Sequence, residues 1–448
     1  MVDPKTLVEE QEWYTPEIDR KELKGLMKKD NYHALYMVGL WVLLLGATGY
    51  LAFMSLGTAW VIPAFFLYGV LYSACDARWH ESSHGTVFRT PWLNDLLHFW
   101  STAMQQRDIV FTHWSHVRHH SYTVINGVDL EITVPRPPKF FPQIINFFNI
   151  QQGIHYIRIL ILHSLGIVSK EAKICVPEEE YKKMFFWARL SMITQIIPIA
   201  LSLYLGSWLP VLFYGLPRFY GAPLQWMFIL QQHAGLEEDV WDHRRNSRTV
   251  KVNPFFAFLF MNMQYHIEHH MYPLMPFHAL PKLHKKIVSQ EPVPYKGMWQ
   301  VYKEMIPALF RQKKDTSYFI ERPLPEASEK ASSDRSSENR EAVAEGDWIR
   351  VCAEGDIDEM DVIPFEYKGE SYAVFNLAEK GYYATEGLCT HEQAPLGNGV
   401  VEDNCRVACP KHNARFDILS GKALTRPAQT DLKTYPAKAE KGSVFIKI

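Results

Sequence analysis

The heptapeptide YHIEHHM at residues 265–271 sets three histidines in the spacing H-x2-HH. On a helix, positions i, i+3 and i+4 share a face, so His266, His269 and His270 can aim their imidazoles at one point. HVRHH at 116–120 repeats the pattern with His116, His119 and His120, and HESSH at 80–84 adds His80 and His84. With 19 His in 448 residues, one H-x3-H arises by chance roughly once per chain and says little alone, whereas H-x2-HH arises only about 0.03 times. Two copies in one chain therefore point to metal ligation. Of the 19 His, 17 precede Lys285, so this chemistry is confined to the first part of the chain.

Between the boxes lie apolar runs. Residues 34–53 are about long enough for one membrane helix, and 58–74 follow through a short uncharged connection. Runs at 185–205 and 208–230 form a second pair. Four spans are expected, with Arg218 in the fourth requiring an interior or interfacial position. Lys and Arg crowd the N-terminus, the stretch 78–183 and the region after Arg244, which places those segments and all three boxes on the cytoplasmic side. The stretches 92–104 and 140–165 are interrupted by His, Asn and Gln and read as interfacial helices or a cytoplasmic helical cap. The polar, Lys-rich start carries no cleavable signal peptide. The alternative is a large soluble protein with four buried helices.

Eight imidazoles are too many for one ion and suit two first-row metals, although imidazole by itself does not name the metal. His233, in FILQQHAG at the end of the fourth run, is the natural ninth ligand; its other reading is a hydrogen-bonded interfacial His. His113, one turn before His116, is an outer or merely local residue. Asp129 and Glu131 closely follow the second box and either orient a metal-bound imidazole or are solvated loop acids. His33, His98, His155, His163, His243, His278 and His284 match no box.

Composition changes after Lys314. Residues 321–346 are rich in Ser, Glu and Pro and read as a flexible linker. From 347 to 448, short alternating runs such as WIRVCA and SVFIKI between Gly and Asn turns predict a small all-β domain. Within it, Cys389 and His391 form C-x-H, and Cys409 and His412 form C-x2-H. Two thiolates and two imidazoles at this spacing suit either one Zn or a [2Fe–2S] cluster. Cys75, Cys175, Cys352 and Cys405 lie outside the motif. Six Cys in so long a chain exclude a disulfide scaffold, and a net charge of −2 argues against nucleic-acid binding.

The block YHIEHHMYPLMPFHALPKLH, with HESSHGTVF and HVRHH, resembles the membrane fatty acid desaturase and hydroxylase superfamily over roughly residues 30–290. The resemblance implies a diiron centre that uses O2, held by His80, His84, His116, His119, His120, His266, His269, His270 and, from its position, His233. The stretch SYTVINGVDLEI is a loose match to the Asn- and Asp-rich flank of many acyl desaturases, and a nearer-looking branch is the oxygenase of rhizopine catabolism. CTHEQAPLGNG and CPKHNARFD resemble the two loops of Rieske ferredoxins. That likeness implies a [2Fe–2S] cluster on Cys389, His391, Cys409 and His412. Ala394 and Lys411 stand where respiratory Rieske proteins carry disulfide cysteines.

The expected organisation is multidomain: a cytoplasmic segment (1–32), an α-helical integral membrane domain of about four transmembrane helices with a cytoplasmic cap (33–314), a linker (315–346) and a small all-β Rieske domain (347–448). The expected activity is O2-dependent oxidation of an aliphatic C–H bond in a lipid, alkane or methylated small molecule, by hydroxylation or oxidative demethylation. The alternatives are a fatty-acyl or lipid desaturase with the same relay, and a non-enzymatic membrane redox sensor or metal-binding protein. Without a G-x-G-x-x-G after a strand or a P-loop, NAD(P)H oxidation is assigned to a separate flavin-dependent ferredoxin reductase. Residues 321–448 hold 16 Lys/Arg against 23 Asp/Glu, so an acidic carrier would be steered to a basic cytoplasmic surface. Positive-inside topology alone would also make that surface basic.

Overall fold

The computed structural model describes residues 13–325, the backbone of 344 and 345, and 347–448 apart from Glu392, Asp403, His412 and Arg426. The chain divides into two compact units. One comprises Met1–Pro16, Lys29–Met271 and Met275–Pro325; the other joins Glu17–Lys28 and Tyr272–Leu274 to Glu326–Ile448. Most of the expected linker lies outside the described residues.

The first unit is helical. Tyr32–Met54, uninterrupted by Pro or charge, runs for 23 residues. It is joined to Val61–Ser73 through the Trp41 indole, which donates to the Leu71 carbonyl at 2.8 Å. Among the described residues, two helices are long and apolar enough to cross a bilayer, Tyr32–Met54 and Glu178–Leu205. Their outward faces carry large apolar side chains, Leu43 at 66% and Leu203 at 80% exposure among them.

The other two expected spans are built differently. Val61–Ser73 has only 13 residues, about 20 Å of helix against a hydrocarbon core of about 30 Å, and continues into Cys75–Ser83. The fourth run breaks into Leu209–Phe213, Pro217–Tyr220 and Ala222–His233. Pro210, Pro217 and Pro223 each lack an amide donor and sit in the first turns of these pieces, and a Pro farther inside would break the ladder. Arg218 is 1% exposed. It donates to the Gln105 carbonyl and, with the Asn149 amide turned over, to the Asn149 side-chain oxygen at 2.9 and 3.0 Å. It faces the interior, as an Arg in this run must.

The remaining helices carry or brace the boxes. Cys75–Ser83 bears the first box, Ile109–Ser121 the second and His266–Met271 the third. Asp108 caps Ile109–Ser121 by accepting from the Phe111 amide at 2.8 Å, a favourable N-terminal arrangement. Val61–Ser73 approaches the helix that ends at His233 so closely that a Cβ on Gly221 would fall 1.9 Å from the Gly69 carbonyl.

In the second unit, Trp348–Ala353, Ser443–Lys447 and Ala437–Glu440 pair antiparallel. Asp361–Tyr367, Glu370–Asn376, Tyr382–Glu386 and Thr434–Tyr435 form a second antiparallel sheet. A third sheet, Val400–Glu402, Arg406–Ala408 and Arg415–Asp417, carries the Cys409 loop. Cys389 and Cys409 are packed with Leu396, Val407, Ala414 and Phe416 in one apolar cluster.

Candidate metal centres

The nine histidines gather as two groups. His80, His84, His116, His120 and His269 form one; His119, His233, His266 and His270 form the other, and within each group the candidate ligand atoms all lie within 4.8 Å of one another. The helical register explains the division. The second box sends i and i+4 (His116, His120) to the first group and i+3 (His119) to the second. The third box does the reverse, sending His266 and His270 to the second group and His269 to the first.

Nitrogen geometry tests whether these sites suit a cation. Nε2 atoms face one another at 2.9 Å between His80 and His269, 3.1 Å between His84 and His116, and 3.2 Å between His116 and His120. In the second group, His266 Nε2 lies 3.0 Å from both His233 Nε2 and His270 Nε2. Several outer nitrogens have acceptors: His116 Nδ1 meets Glu131 at 3.2 Å, His119 Nδ1 meets Asp129 at 2.9 Å, and His233 Nδ1 meets the Asn246 carbonyl at 2.9 Å. An imidazole that donates through Nδ1 presents a bare lone pair at Nε2. Lone pairs directed at lone pairs are satisfied by a shared cation, so the donor set fits two metal ions.

Charge state agrees. Burial, reinforced by neighbouring imidazoles, holds His80, His116, His120, His266, His269 and His270 well below the usual histidine range. Burial likewise takes His233 to about 3. Neutral imidazole is the form that ligates. His119 differs: burial opposes its charged form, but Asp129 outweighs burial and the net displacement is upward. Burial also works against the Asp129 carboxylate, yet the His119 contact and backbone amides bring it below the usual range.

Of the three outer residues singled out from sequence, Asp129 and Glu131 contact boxed imidazoles, those of His119 and His116. His113 joins neither group, and its ring lies 6.2 Å from that of His98. Other bracing residues were invisible in sequence. Thr123 Oγ1 meets His270 Nδ1 at 3.1 Å. Glu81 is fully buried, where desolvation raises its carboxyl to about 7, and lies 4.0 Å from His269 Nδ1. His243, buried, tilts against the His270 ring at 5.1 Å between centroids. Glu268, on the third-box helix, holds His284 Nδ1 and accepts from Thr249 Oγ1 at 2.5 Å. Burial opposes protonation of His284, but Glu268 and Glu291 together raise it to about 9. Only spacing to a distant partner could have identified these residues, and one sequence contains no such signal.

The β unit builds its site from two matching loops. The Cys389 amide donates to the Ala394 carbonyl at 2.9 Å, and the Gln393 amide returns to the Cys389 carbonyl at 2.9 Å. The Cys409 amide donates to the Ala414 carbonyl at 2.8 Å, with the Asn413 amide to the Cys409 carbonyl at 3.1 Å. Gln393 and Asn413 occupy the same loop position and both have positive φ, 54° and 57°. Cys389 and Cys409 are each 1% exposed and His391 is half-buried. His412 lies outside the described residues. Two equivalent loops, each with a buried thiol and with a His two or three positions further along the sequence, are suited to a two-iron cluster with thiolates on one iron and imidazoles on the other.

Comparison with known proteins supports both parts. Residues 58–302 match the fatty acid desaturase family and 347–436 match the Rieske [2Fe-2S] domain. Over 101 residues, 22% of this chain and 95% of the relative, the C-terminal part is 40% identical to the ferredoxin component of the naphthalene 1,2-dioxygenase/salicylate 5-hydroxylase systems of Ralstonia sp. It is 35% identical to the 3-phenylpropionate/cinnamic acid dioxygenase ferredoxin subunit of Shigella flexneri, over 22% of this chain and 92% of that one. Among solved structures it is similar to a ferredoxin of Sphingomonas yanoikuyae B1, with 33% identity, 22% and 96% coverage and a TM-score of 0.21. The chain belongs to the fatty acid desaturase family and carries a C-terminal Rieske ferredoxin domain. Such a pairing is that of an oxidoreductase with its own electron carrier; the family implies a diiron centre and is usually membrane-bound.

Proposed function

We propose that this protein is a membrane-bound diiron oxygenase that draws electrons through its own Rieske domain and oxidises an aliphatic C–H bond. The observation that carries this reading is the convergence of nine imidazoles into two groups whose inner nitrogens face one another. His80, His84, His116, His120 and His269 would hold one iron, and His119, His233, His266 and His270 the other. Cys389, His391, Cys409 and His412 would hold the cluster. When bound, the diiron centre supplies reductive activation of O2.

The chain's own residues prepare that chemistry. Asp129, Glu131 and the Asn246 carbonyl fix ring orientation and tautomer through Nδ1. Burial keeps most of the imidazoles neutral and keeps bulk water from the site. The overall reaction balances as R–H, O2, NAD(P)H and a proton giving R–OH, water and NAD(P)+. A hydride carries two electrons and a Rieske cluster carries one at a time, so a separate flavin-dependent reductase is required to divide them. Tethering through 315–346 would raise the carrier's local concentration to the millimolar range. The two long apolar helices support a membrane location. Positive-inside bias supports cytoplasmic placement of both iron sites.

The desaturase reading retains one specific observation, the family match over 58–302. The two are separated by offering candidate lipids, alkanes and methylated small molecules under 18O2 to the reductase-fed full chain. Label in the product is the expected result. Loss of two hydrogens without label would establish desaturation instead, and absence of substrate-dependent O2 consumption would leave a redox sensor.

A further inference from the structure

Behind the third box lies another cluster of ligand-type side chains. Glu268 follows His266 by two positions, about 200° around the helix, and so points away from the face that serves the histidine groups. It meets His284, from Leu280–Ile287, and Glu291, just past the turn Val288–Gln290. One ligand atom from each of the three lies within 4.8 Å of the others. His284 Nδ1 contacts one Glu268 oxygen and lies 3.2 Å from Glu291 Oε2. The other Glu268 oxygen accepts from Thr249 Oγ1 at 2.5 Å, whereas Glu291 Oε1 is buried with no hydrogen-bond partner. Glu268 is fully buried and Glu291 is 3% exposed.

Two buried carboxylates held this close repel each other and need matching positive charge. A proton on His284 supplies one charge and leaves Glu291 Oε1 unmet. Arg322 is within Coulombic reach of Glu291, but its Nε and Nη1 are themselves unpartnered. Its remaining nitrogen donates to the Arg244 and Ser247 carbonyls, so Arg322 gives that carboxylate no hydrogen bond. A divalent cation on a neutral His284 supplies both charges and takes a lone pair from each of the three side chains. Asp30, His33 and His278 form a comparable cluster. There the Asp30 and His33 side chains are 39% and 57% exposed, and water can satisfy them.

We propose that Glu268, His284 and Glu291 form a further metal site, which takes a single structural divalent ion of the Zn2+ class. Zn2+ accepts carboxylate oxygen and imidazole nitrogen at about 2.0–2.2 Å, whereas Mg2+ and Ca2+ prefer oxygen throughout. The 3.2 Å between His284 Nδ1 and Glu291 Oε2 is close to the spacing of neighbouring ligands around one tetrahedral ion. Three protein ligands leave a fourth position, which water fills from the side where the His284 side chain is 11% exposed. The ion pins the third-box helix from behind, so that the three imidazoles on its other face keep their aim. The site does not depend on whether the histidine centre hydroxylates or desaturates.

The test uses the purified full chain, with the histidine groups and the cluster loaded with iron, given Zn2+ in competition with a chelator. One zinc per chain should bind. X-ray absorption at the zinc edge should show nitrogen and oxygen neighbours at about 2.0–2.2 Å, with one imidazole and no sulfur. Glu291→Gln and His284→Asn should each weaken zinc by more than about 100-fold, because losing a ligand costs more than losing one of its outer partners. Iron content and Rieske absorption should be unchanged in both, which verifies folding, and His278→Ala should bind zinc as the wild type does. Were a variant not to fold, the wild-type stoichiometry and spectrum would still decide. Zinc that survives either substitution, a spectrum with several imidazoles or with sulfur, or no bound zinc would each overturn the proposal. Every outcome is read without turnover, so failure here leaves the oxygenase reading where it stood.

Discussion

The two candidate metal sites reach similar burial by opposite means. The histidine groups are assembled from four helical segments spread across residues 80–270, and each group takes members from both H-x2-HH boxes. The Rieske loops are local: each Cys is closed by a hydrogen bond to a residue five positions on. A ligand set drawn from distant helices depends on the packing of the whole unit, whereas one formed by two hairpins depends mainly on its own turns. The first should be fragile to distant change and the second self-contained.

The largest expected effect comes from breaking one site at a time. His119→Ala or His269→Ala should take turnover down by at least about 10³-fold, as loss of a group acting in a unit does. Each should also lower iron at the histidine groups while leaving Rieske absorption intact. Cys409→Ser should remove the Rieske spectrum and block reduction by NAD(P)H plus reductase, yet retain histidine-bound iron. If either substitution emptied both sites, the independence drawn here would be lost.

Autonomy gives the next comparison. Residues 347–448 expressed alone should assemble the cluster, read by visible absorption. A chain ending before residue 265 should hold no tightly bound iron, because the first group would lose His269 and the second His266 and His270. Iron retained in that truncation would show that the groups do not need the third box.

Bracing contacts should matter less than ligands. Asp129→Asn keeps the shape but removes the charge facing His119, and about a 10- to 100-fold loss of metal affinity or activity is expected, measured by iron competition with a chelator. An unchanged affinity would demote Asp129 to a loop acid. Smallest are two glycine substitutions. Gly221→Ala forces a Cβ into the Gly69 carbonyl and should cost the helical unit about 1–3 kcal/mol. Gly421→Ala, at φ 75° with its Cβ facing the Leu432 carbonyl at 2.0 Å, should lower only the β unit's melting. Calorimetry showing both transitions shifted by either change would contradict the contrast.

Much of this was legible in the residues because spacing carries it. H-x2-HH defines a helical face wherever it occurs, and C-x-H with C-x2-H defines two short loops, so local periodicity and turn chemistry suffice. The four-span expectation shows the limit. An apolar window over 208–230 averages across Pro210, Pro217, Gly221 and Pro223, and hydropathy does not register the missing amides that divide the run into three helices. His113 shows another: it lies on the second-box helix yet belongs to neither group.

Sequence by itself determined the class of each part, the boxes, the cysteine loops and the likeness to two known families, since all are properties of neighbouring residues. Tertiary structure alone decided how the nine imidazoles divide five to four, that His233 completes the smaller group, and that Thr123 braces His270 from 147 positions away. These are pairings between distant helices, and their geometry is set by packing that no local pattern encodes.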